Sequence, residues 1–481
     1  MDPGGPSHKH YREGCMGKVG KPIISVSGVR GEIGISLDVR VITQFATAFG
    51  TFVGGRTVVI GMDSRTSSPT LRHAVLAGLF ATGCHVIDVG LCPTPTVLLI
   101  AKALHAQGSI TITASHNPVA WNGIEFAAAS GNLLTQAERD ELLRIYEAED
   151  FALAPWNEQG TLETYEDATT HHLEQILGSP WLELDLIRAA NLKVVIDAGN
   201  GAGSVISPSL GRELGCRVVE LNCVADGHFR RPAEPTPDAL DALCQTVLAS
   251  DADIGFAHDG DADRLVVVTE RGVPLSGEWT LAFIVDFILS KTKGDIVATV
   301  STSRMLDDIA AKHEATLHRT KVGVGWVVEK MYEVNAVIGG EGTGGVIYPD
   351  VHYTTDGITS IAAITQYLAA SGSTVTQLVE NMPQYQMCRK KLEIPSQAAA
   401  THLVDIALKV YIEECEAGTE PSLELTDGVK RVWSDRWVNI RKSGTEPVIR
   451  VFSEAPTSEA AEELCDETLE TLTTLMKQIP Y

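Results

Sequence analysis

The sequence is short of several things, and each shortage removes a class of function. No apolar run approaches the roughly 18–20 residues that a membrane-spanning helix requires. The first twenty residues (MDPGGPSHKHYREGCMGKVG) contain no apolar core of the kind an export signal needs, so they read as a flexible extension over 1–17 of a cytoplasmic chain. The nine cysteines form no C-x-x-C pair and no Cys/His group at zinc spacing, which argues against a disulfide scaffold or a zinc module and for a reduced compartment. Basic charge is also scarce: 38 Lys and Arg stand against 62 Asp and Glu, a formal net charge of -24. Such a chain repels nucleic acid and anionic membranes, which excludes both as partners. An anionic small molecule could bind only where basic residues reverse the field locally.

What is present describes a large globular protein. With 481 residues and 44% hydrophobic content, the chain exceeds a single core and is expected to divide into about three or four domains. β-rich runs alternate with helical stretches: residues 57–61 (TVVIG) before 68–82, then 85–89, 109–114 (SITITA), 194–197 (VVID) before 207–214, 217–221, 253–257, 265–269, 295–300 and 336–338. This alternation predicts α/β layers. Three loosely repeated blocks precede a last segment of α+β character, with helices over 398–416 and 458–478 and strands near 423–425, 429–433, 437–442 and 449–453. Polar stretches at 157–167, 272–278 and 383–396 suggest the divisions 18–165, 166–276, 277–388 and 389–481. The fold class is therefore three similar α/β domains with mixed sheets and a smaller α+β C-terminal domain, four domains around a central cleft.

Four segments carry chemistry. Thr-Ala-Ser115-His116-Asn-Pro follows an alternating strand and breaks at Asn-Pro, which presents the Ser115 hydroxyl at a strand end. Asp259-Gly-Asp261-Ala-Asp263-Arg264 follows an apolar strand; three carboxylates separated only by Gly and Ala can converge on one hard cation, and the set suits Mg²⁺. The alternative is a solvated acidic turn, but three crowded aspartates repel one another without a cation. Gly-Gly-Glu341-Gly-Thr343-Gly-Gly places an acceptor and a hydroxyl suited to sugar hydroxyls on a backbone a ligand can approach closely; it lacks the Gly-Lys-Ser/Thr ending of a P-loop. Arg441-Lys-Ser443-Gly444-Thr445-Glu-Pro, with Arg450 beyond, supplies cations, hydroxyls and free N–H groups that make a nest for a phosphate.

In this order the four motifs resemble the α-D-phosphohexomutase superfamily of phosphoglucomutases, phosphomannomutases and phosphoglucosamine mutases, over nearly the whole chain from about Met16. The resemblance implies a mutase that interconverts hexose 6-phosphate and hexose 1-phosphate through a 1,6-bisphosphate, with the phosphoglucosamine mutase branch closest. It implies phosphorylation of Ser115, and Mg²⁺ held by the phosphoserine with Asp259, Asp261 and Asp263. A hexose 1,6-bisphosphate would act as activator. Ser27-Gly-Val-Arg30-Gly matches the superfamily's N-terminal Arg-Gly loop, so Arg30 and Arg264 fall beside the transferring phosphoryl, and Lys321 matches a lysine near the substrate. His116, Arg30, Arg264 and Lys321 join Ser115 as catalytic candidates; Glu341, Thr343, Arg441, Ser443, Gly444, Thr445 and Arg450 are the substrate-binding candidates. Two positions depart from the common pattern: Glu125 stands where many relatives have Lys, and Gly345 where many have His. Proton handling would then pass to groups such as His116, His352 or Lys321. A phosphatase using an Asp nucleophile, or a phosphosugar-binding pseudoenzyme, are the rival readings.

Overall fold

The structure is a computed structural model that describes residues 20–25, 28–415, 420–443 and 447–477. Four sheets follow one another along the chain. The first has seven strands in the order Ile23–Ile24, Gly28–Glu32, Trp121–Ala128, Gly108–Ile112, Val58–Met62, His85–Leu91, Thr161–Thr164. The second has four (Leu265–Thr269, Ile254–His258, Lys193–Asp197, Arg217–Leu221), and the third five (Leu317–Thr320, Ile296–Thr299, Ile338–Glu341, Gly345–Tyr348, His352–Thr355). All three are mixed: parallel strands linked through helices, then a reversal into an antiparallel neighbour. The fourth sheet, Gln386–Glu393, Val448–Ala455, Trp437–Lys442, Val429–Val432 and Ser422–Glu424, is antiparallel throughout, with the helices Gln397–Glu414 and Ser458–Met476 packed with it. Three α/β units and one α+β unit are thus the observed architecture.

The reversal is what positions function. In each of the first three sheets a parallel strand ends in a loop and returns antiparallel: Gly108–Ile112 into Trp121–Ala128, Ile254–His258 into Leu265–Thr269, Ile338–Glu341 into Gly345–Tyr348. The serine, aspartate and glycine-rich motifs occupy these three connections. The Arg441 motif occupies the corresponding hairpin of the fourth sheet.

Two elements differ from the sequence-based reading. The polar stretch 157–167 contains the strand Thr161–Thr164, which pairs with His85–Leu91 by backbone hydrogen bonds, so its exposed polar side chains do not prevent sheet formation. The strand Gln386–Glu393 lies wholly in the fourth sheet, so the division at 388/389 falls inside it; its alternation of exposed and partly exposed residues resembles a linker because it is an edge strand.

One hydrophobic cluster runs through the first three units. It joins the helix Thr94–Ala103 to Gly277–Lys291 and Gly357–Ser371, and a separate cluster fills the fourth unit. The helix Gly277–Lys291 is buried on nearly every side because it sits between the third sheet and its neighbours, which is why it carries an all-round apolar sequence rather than a stripe. Among the described residues, no helix is long and apolar enough to cross a membrane. The third and fourth units are joined by Lys430 Nζ donating to the Val300 carbonyl at 2.7 Å and by an Arg389–Glu278 ion pair at 2.9 Å. Phe283, fully buried in the central helix, makes the test of this packing: Phe283→Ala is expected to cost about 3–5 kcal/mol, read as an earlier urea-unfolding midpoint.

Candidate active site

Ser115 is held in an unusual backbone state, with φ of 46°, and is only 3% exposed. For a residue with a Cβ this left-handed conformation is costly, and it persists only where neighbours fix it. The neighbour here is Arg65. Its guanidinium donates to the carbonyls of Ser115 at 2.7 Å, Asn117 at 2.8 Å, Pro118 at 2.8 Å and Trp121 at 3.0 Å, and its Nε donates to Asp63 at 3.0 Å. Asp63 also accepts from the hydroxyls of Ser68 and Thr113, and Thr113 Oγ1 accepts the Ser115 N–H at 2.8 Å. The serine loop is therefore wound around a buried, fully satisfied cation. Neither Arg65 nor Asp63 is singled out by sequence reasoning; the signal was a charged Asp-Ser-Arg directly after the apolar run TVVIGM.

The loop places Ser115 Oγ 3.0 Å from Asp259 Oδ2 and 3.3 Å from His116 Nδ1. The Ser115 carbonyl packs on Gly260, where a Cβ would lie 2.6 Å from that oxygen; only glycine permits the two loops to approach. Asp259, Asp261 and Asp263 each turn a carboxylate oxygen toward one point, the three atoms lying within 4.8 Å of one another. Each aspartate is steadied from outside: Asp261 accepts from the Thr94 hydroxyl at 2.6 Å, Asp263 from the Thr355 hydroxyl at 2.9 Å. Asp261 Oδ1 and Asp263 Oδ1 are buried with no hydrogen-bond partner among the described residues. Carboxylate oxygens without a hydrogen bond in a cluster of this charge fit a hard divalent cation, although Arg264 Nε lies 3.7 Å from Asp263 Oδ1. Burial, together with the adjacent carboxylates, pushes Asp263 up to about 7 and Asp259 upward as well.

The cations that reverse the field converge on the same place. Arg30 donates to Asn117 Oδ1 at 3.3 Å and pairs with Glu125, the residue that departs from the common pattern. Gly123 lies under this pair, since a Cβ there would come 2.9 Å from Arg30 Cγ. His116 is depressed to about 2, chiefly by the Arg264 charge, then by burial and by Arg30, Arg65 and Arg450. Its imidazole is neutral, so it accepts or donates a hydrogen bond beside Ser115 but does not deliver a proton as an imidazolium. Arg441 and Arg450 are directly opposed across the fourth sheet, and burial and the Arg450 charge lower the Arg441 pKa. Ser443 is buried beside them; Gly444 and Thr445 lie outside the described residues.

The glycine-rich loop around Glu341 is shaped by what is packed behind it. Glu341 accepts the Gly323 N–H at 2.9 Å and is raised by burial, while Thr343 is exposed. A Cβ on Gly342 would fall 1.9 Å from Glu278 Oε1. One on Gly345 would fall 2.7 Å from Thr355 Cγ2, so a side chain here would displace the threonine that holds Asp263. Lys321 lies 5.1 Å from the Trp326 ring, and among the described residues no hydrogen bond or ion pair links its ammonium to Ser115 or the aspartates. His352 is turned away as well, buried against Asp356.

Comparison with known proteins finds matches along the chain. The models of phosphoglucomutase/phosphomannomutase alpha/beta/alpha domains I, II and III match residues 22–153, 170–272 and 276–385, and that of the C-terminal domain matches 396–471. A phosphoglucomutase/phosphomannomutase of Thermococcus kodakarensis is 38% identical over 455 residues, covering 93% of this chain and 97% of its own. A probable phosphoglucosamine mutase of Pyrococcus abyssi is 40% identical over 442 residues, covering 92% and 95%. The crystal structure of a phosphoglucomutase/phosphomannomutase family protein from Burkholderia thailandensis superposes with a TM-score of 0.83 at 29% identity, covering 94% of this chain and 97% of that one.

Two outcomes follow from the geometry. Arg65→Lys, which cannot reproduce the fork, is expected to cost about 3–5 kcal/mol, with Asp63→Ala similar and the double variant less than the sum, measured by chemical unfolding. The second concerns pH. Asp263 is pushed up to about 7 without a cation, so a divalent cation such as Mg²⁺ that binds there would displace a proton below that value. Its apparent affinity should rise with pH while Asp263 and Asp259 give up their protons, with proton release seen by calorimetry at acid pH. Because this folded-state pKa is raised, the cation-free protein loses stability as pH rises from about 4 through about 7, and Mg²⁺ restores it.

Proposed function

The chain belongs to the phosphoglucomutase/phosphomannomutase family, and from that premise we propose that it interconverts glucosamine 6-phosphate and glucosamine 1-phosphate through a phosphorylated Ser115. It is a phosphosugar mutase, an isomerase. The observation that carries the reaction is the seat of Ser115: a strained hydroxyl 3.0 Å from the first of three convergent aspartates, next to a His116 that feels the charges of Arg264 and Arg30, in a protein otherwise strongly acidic. Glucosamine is favoured because probable phosphoglucosamine mutases stand among the relatives at 35–40% identity.

In the resting enzyme Ser115 carries the phosphoryl group. Asp259, Asp261 and Asp263, with a phosphoryl oxygen, would hold Mg²⁺, which would neutralise charge on the transferring group. Arg30 and Arg264 flank that group and supply the remaining positive charge. The substrate's own phosphate rests on the Arg441–Thr445 loop with Arg450, while Glu341 and Thr343 take the sugar hydroxyls. This leaves O1 directed at phospho-Ser115. The O1–P bond forms as the P–Oγ bond breaks, and the proton lost by O1 ends on Ser115 Oγ. The 1,6-bisphosphate then turns over, Ser115 Oγ attacks the phosphorus on O6, and the Oγ proton ends on O6 as the P–O6 bond breaks. A free hexose 1,6-bisphosphate re-primes any Ser115 that has lost its phosphoryl group, and so acts as activator. Positioning and charge neutralisation supply most of the rate, and the buried setting of Ser115 protects the phosphoserine from water.

The test is ³¹P NMR of the protein with Mg²⁺ and a catalytic amount of hexose 1,6-bisphosphate, offered glucosamine, glucose and mannose 6-phosphates separately. A 1-phosphate signal is expected in each active tube, fastest with glucosamine. Faster turnover of glucose or mannose would move the assignment to the phosphoglucomutase/phosphomannomutase activity, and inorganic phosphate alone would overturn the mutase. Ser115→Ala should slow turnover by more than about a thousandfold.

A further inference from the structure

Behind the aspartate loop lies a second group of metal-ligand side chains that the proposed reaction does not use. His172, on the helix Ala168–Leu177, His352, opening the strand His352–Thr355, and Asp356, capping the helix Gly357–Ser371, meet where the first three units join. They are 0%, 3% and 0% exposed. His172 Nε2 lies 2.9 Å and His352 Nε2 3.2 Å from the same oxygen, Asp356 Oδ2, and the three atoms fall within 4.8 Å of one another. The imidazole rings stand at 77° with centroids 5.7 Å apart, as two ligands do when they approach a common centre from different sides.

The surroundings orient each donor. The Thr96 hydroxyl lies 2.9 Å from His172 Nδ1 and so fixes which ring nitrogen faces the carboxylate, the usual outer-shell arrangement for a metal-bound histidine. Asp356 Oδ1 is occupied by the N–H groups of Ile358 at 2.9 Å and Thr359 at 3.1 Å, which leaves Oδ2 for the imidazoles. The Thr359 hydroxyl donates to that same oxygen from the first turn of the helix. Among the described residues the only ion-pair partners of this buried carboxylate are the two imidazoles, and both rings are uncharged when they act as ligands. His352 Nδ1, also buried, has no hydrogen-bond partner among the described residues.

We propose that His172 Nε2, His352 Nε2 and Asp356 Oδ2 hold a divalent transition-metal ion of the zinc class, a site separate from the aspartate loop. Two imidazole nitrogens and one carboxylate oxygen select Zn²⁺ or Co²⁺ over Mg²⁺, which prefers an all-oxygen set. Ligand atoms about 3.3 Å apart are what bonds of about 2.0–2.1 Å to a tetrahedral centre require, close to the two separations observed. Binding involves no redox change: each neutral imidazole moves its proton from Nε2 to Nδ1, and Thr96 Oγ1 accepts that of His172. The ion would brace the back of the reaction centre, because Thr94 and Thr96 of one helix reach Asp261 and His172, and the adjacent Thr355 and Asp356 reach Asp263 and the new site.

Since none of the three ligands opens to solvent, the metal has to be supplied as the chain folds. The full chain is expressed in defined medium with zinc or with cobalt and dialysed against EDTA. Metal content is then read by elemental mass spectrometry, and the cobalt protein by visible absorption. About one zinc per chain is expected, with the strong d–d bands of tetrahedral Co²⁺. The His172→Gln/His352→Gln double variant should retain less than about a tenth of that metal, while Asp261→Asn retains it all. Wild-type protein with less than about a tenth of an equivalent and no visible bands would overturn the proposal, leaving a hydrogen-bonded triad. So would metal that persists in the double variant. The wild-type measurement decides the matter even where the double variant does not fold.

Discussion

Arg65 is a fully buried cation whose donors are directed at four backbone carbonyls of the serine loop and at Asp63. A guanidinium in this position has to be saturated, because an unpaired buried charge would be far more costly than any loop conformation. The loop closes around it, and that closure holds Ser115 at a positive φ with its hydroxyl on Asp259. Gly260 then allows the aspartate loop to approach the same carbonyl. Remove the clasp and the serine has no reason to remain where the other three motifs point.

Those motifs meet because the first three sheets repeat one construction. A parallel strand ends, the chain reverses, and the loop at the reversal carries the motif. Placing a loop at the carboxyl end of parallel strands is a general way for α/β proteins to build a site from rigid scaffolding and variable connections. The fourth sheet offers Arg441 and Arg450 from a hairpin of its own. A chain of net charge -24 thereby gathers arginines from separate elements at one point, and the neutral His116 registers the field they create.

The two departures from the common pattern have physical accommodations. Glu125 neutralises Arg30 across Gly123, so the charge balance near Ser115 is set by an ion pair rather than by an added cation. Gly345 leaves room for the Thr355 methyl, and the threonine hydroxyl in turn orients Asp263. A histidine side chain at that position is incompatible with this packing. His352, which the sequence offers as a replacement, is committed to Asp356 instead.

Much of this protein was determined by local sequence alone. Alternating β and helical runs specify α/β layers, and the Asp-Gly-Asp-Ala-Asp spacing brings three carboxylates together within a single turn, so the fold class and the aspartate cluster are readable without a structure. Short-range chemistry of this kind survives in any tertiary context. The strands Thr161–Thr164 and Gln386–Glu393 were not legible, because edge strands owe their existence to a partner's backbone and not to their own apolar pattern. Arg65 was hidden for a similar reason: its importance lies in carbonyls about fifty residues away. The same holds for the neutrality of His116, the meeting of His172 with His352, and the pairing of Arg30 with Glu125, all of which depend on charges and volumes brought together only by packing. Sequence decided which groups exist and which neighbours they have along the chain; tertiary structure decided which of them share a dielectric, a proton or a cation.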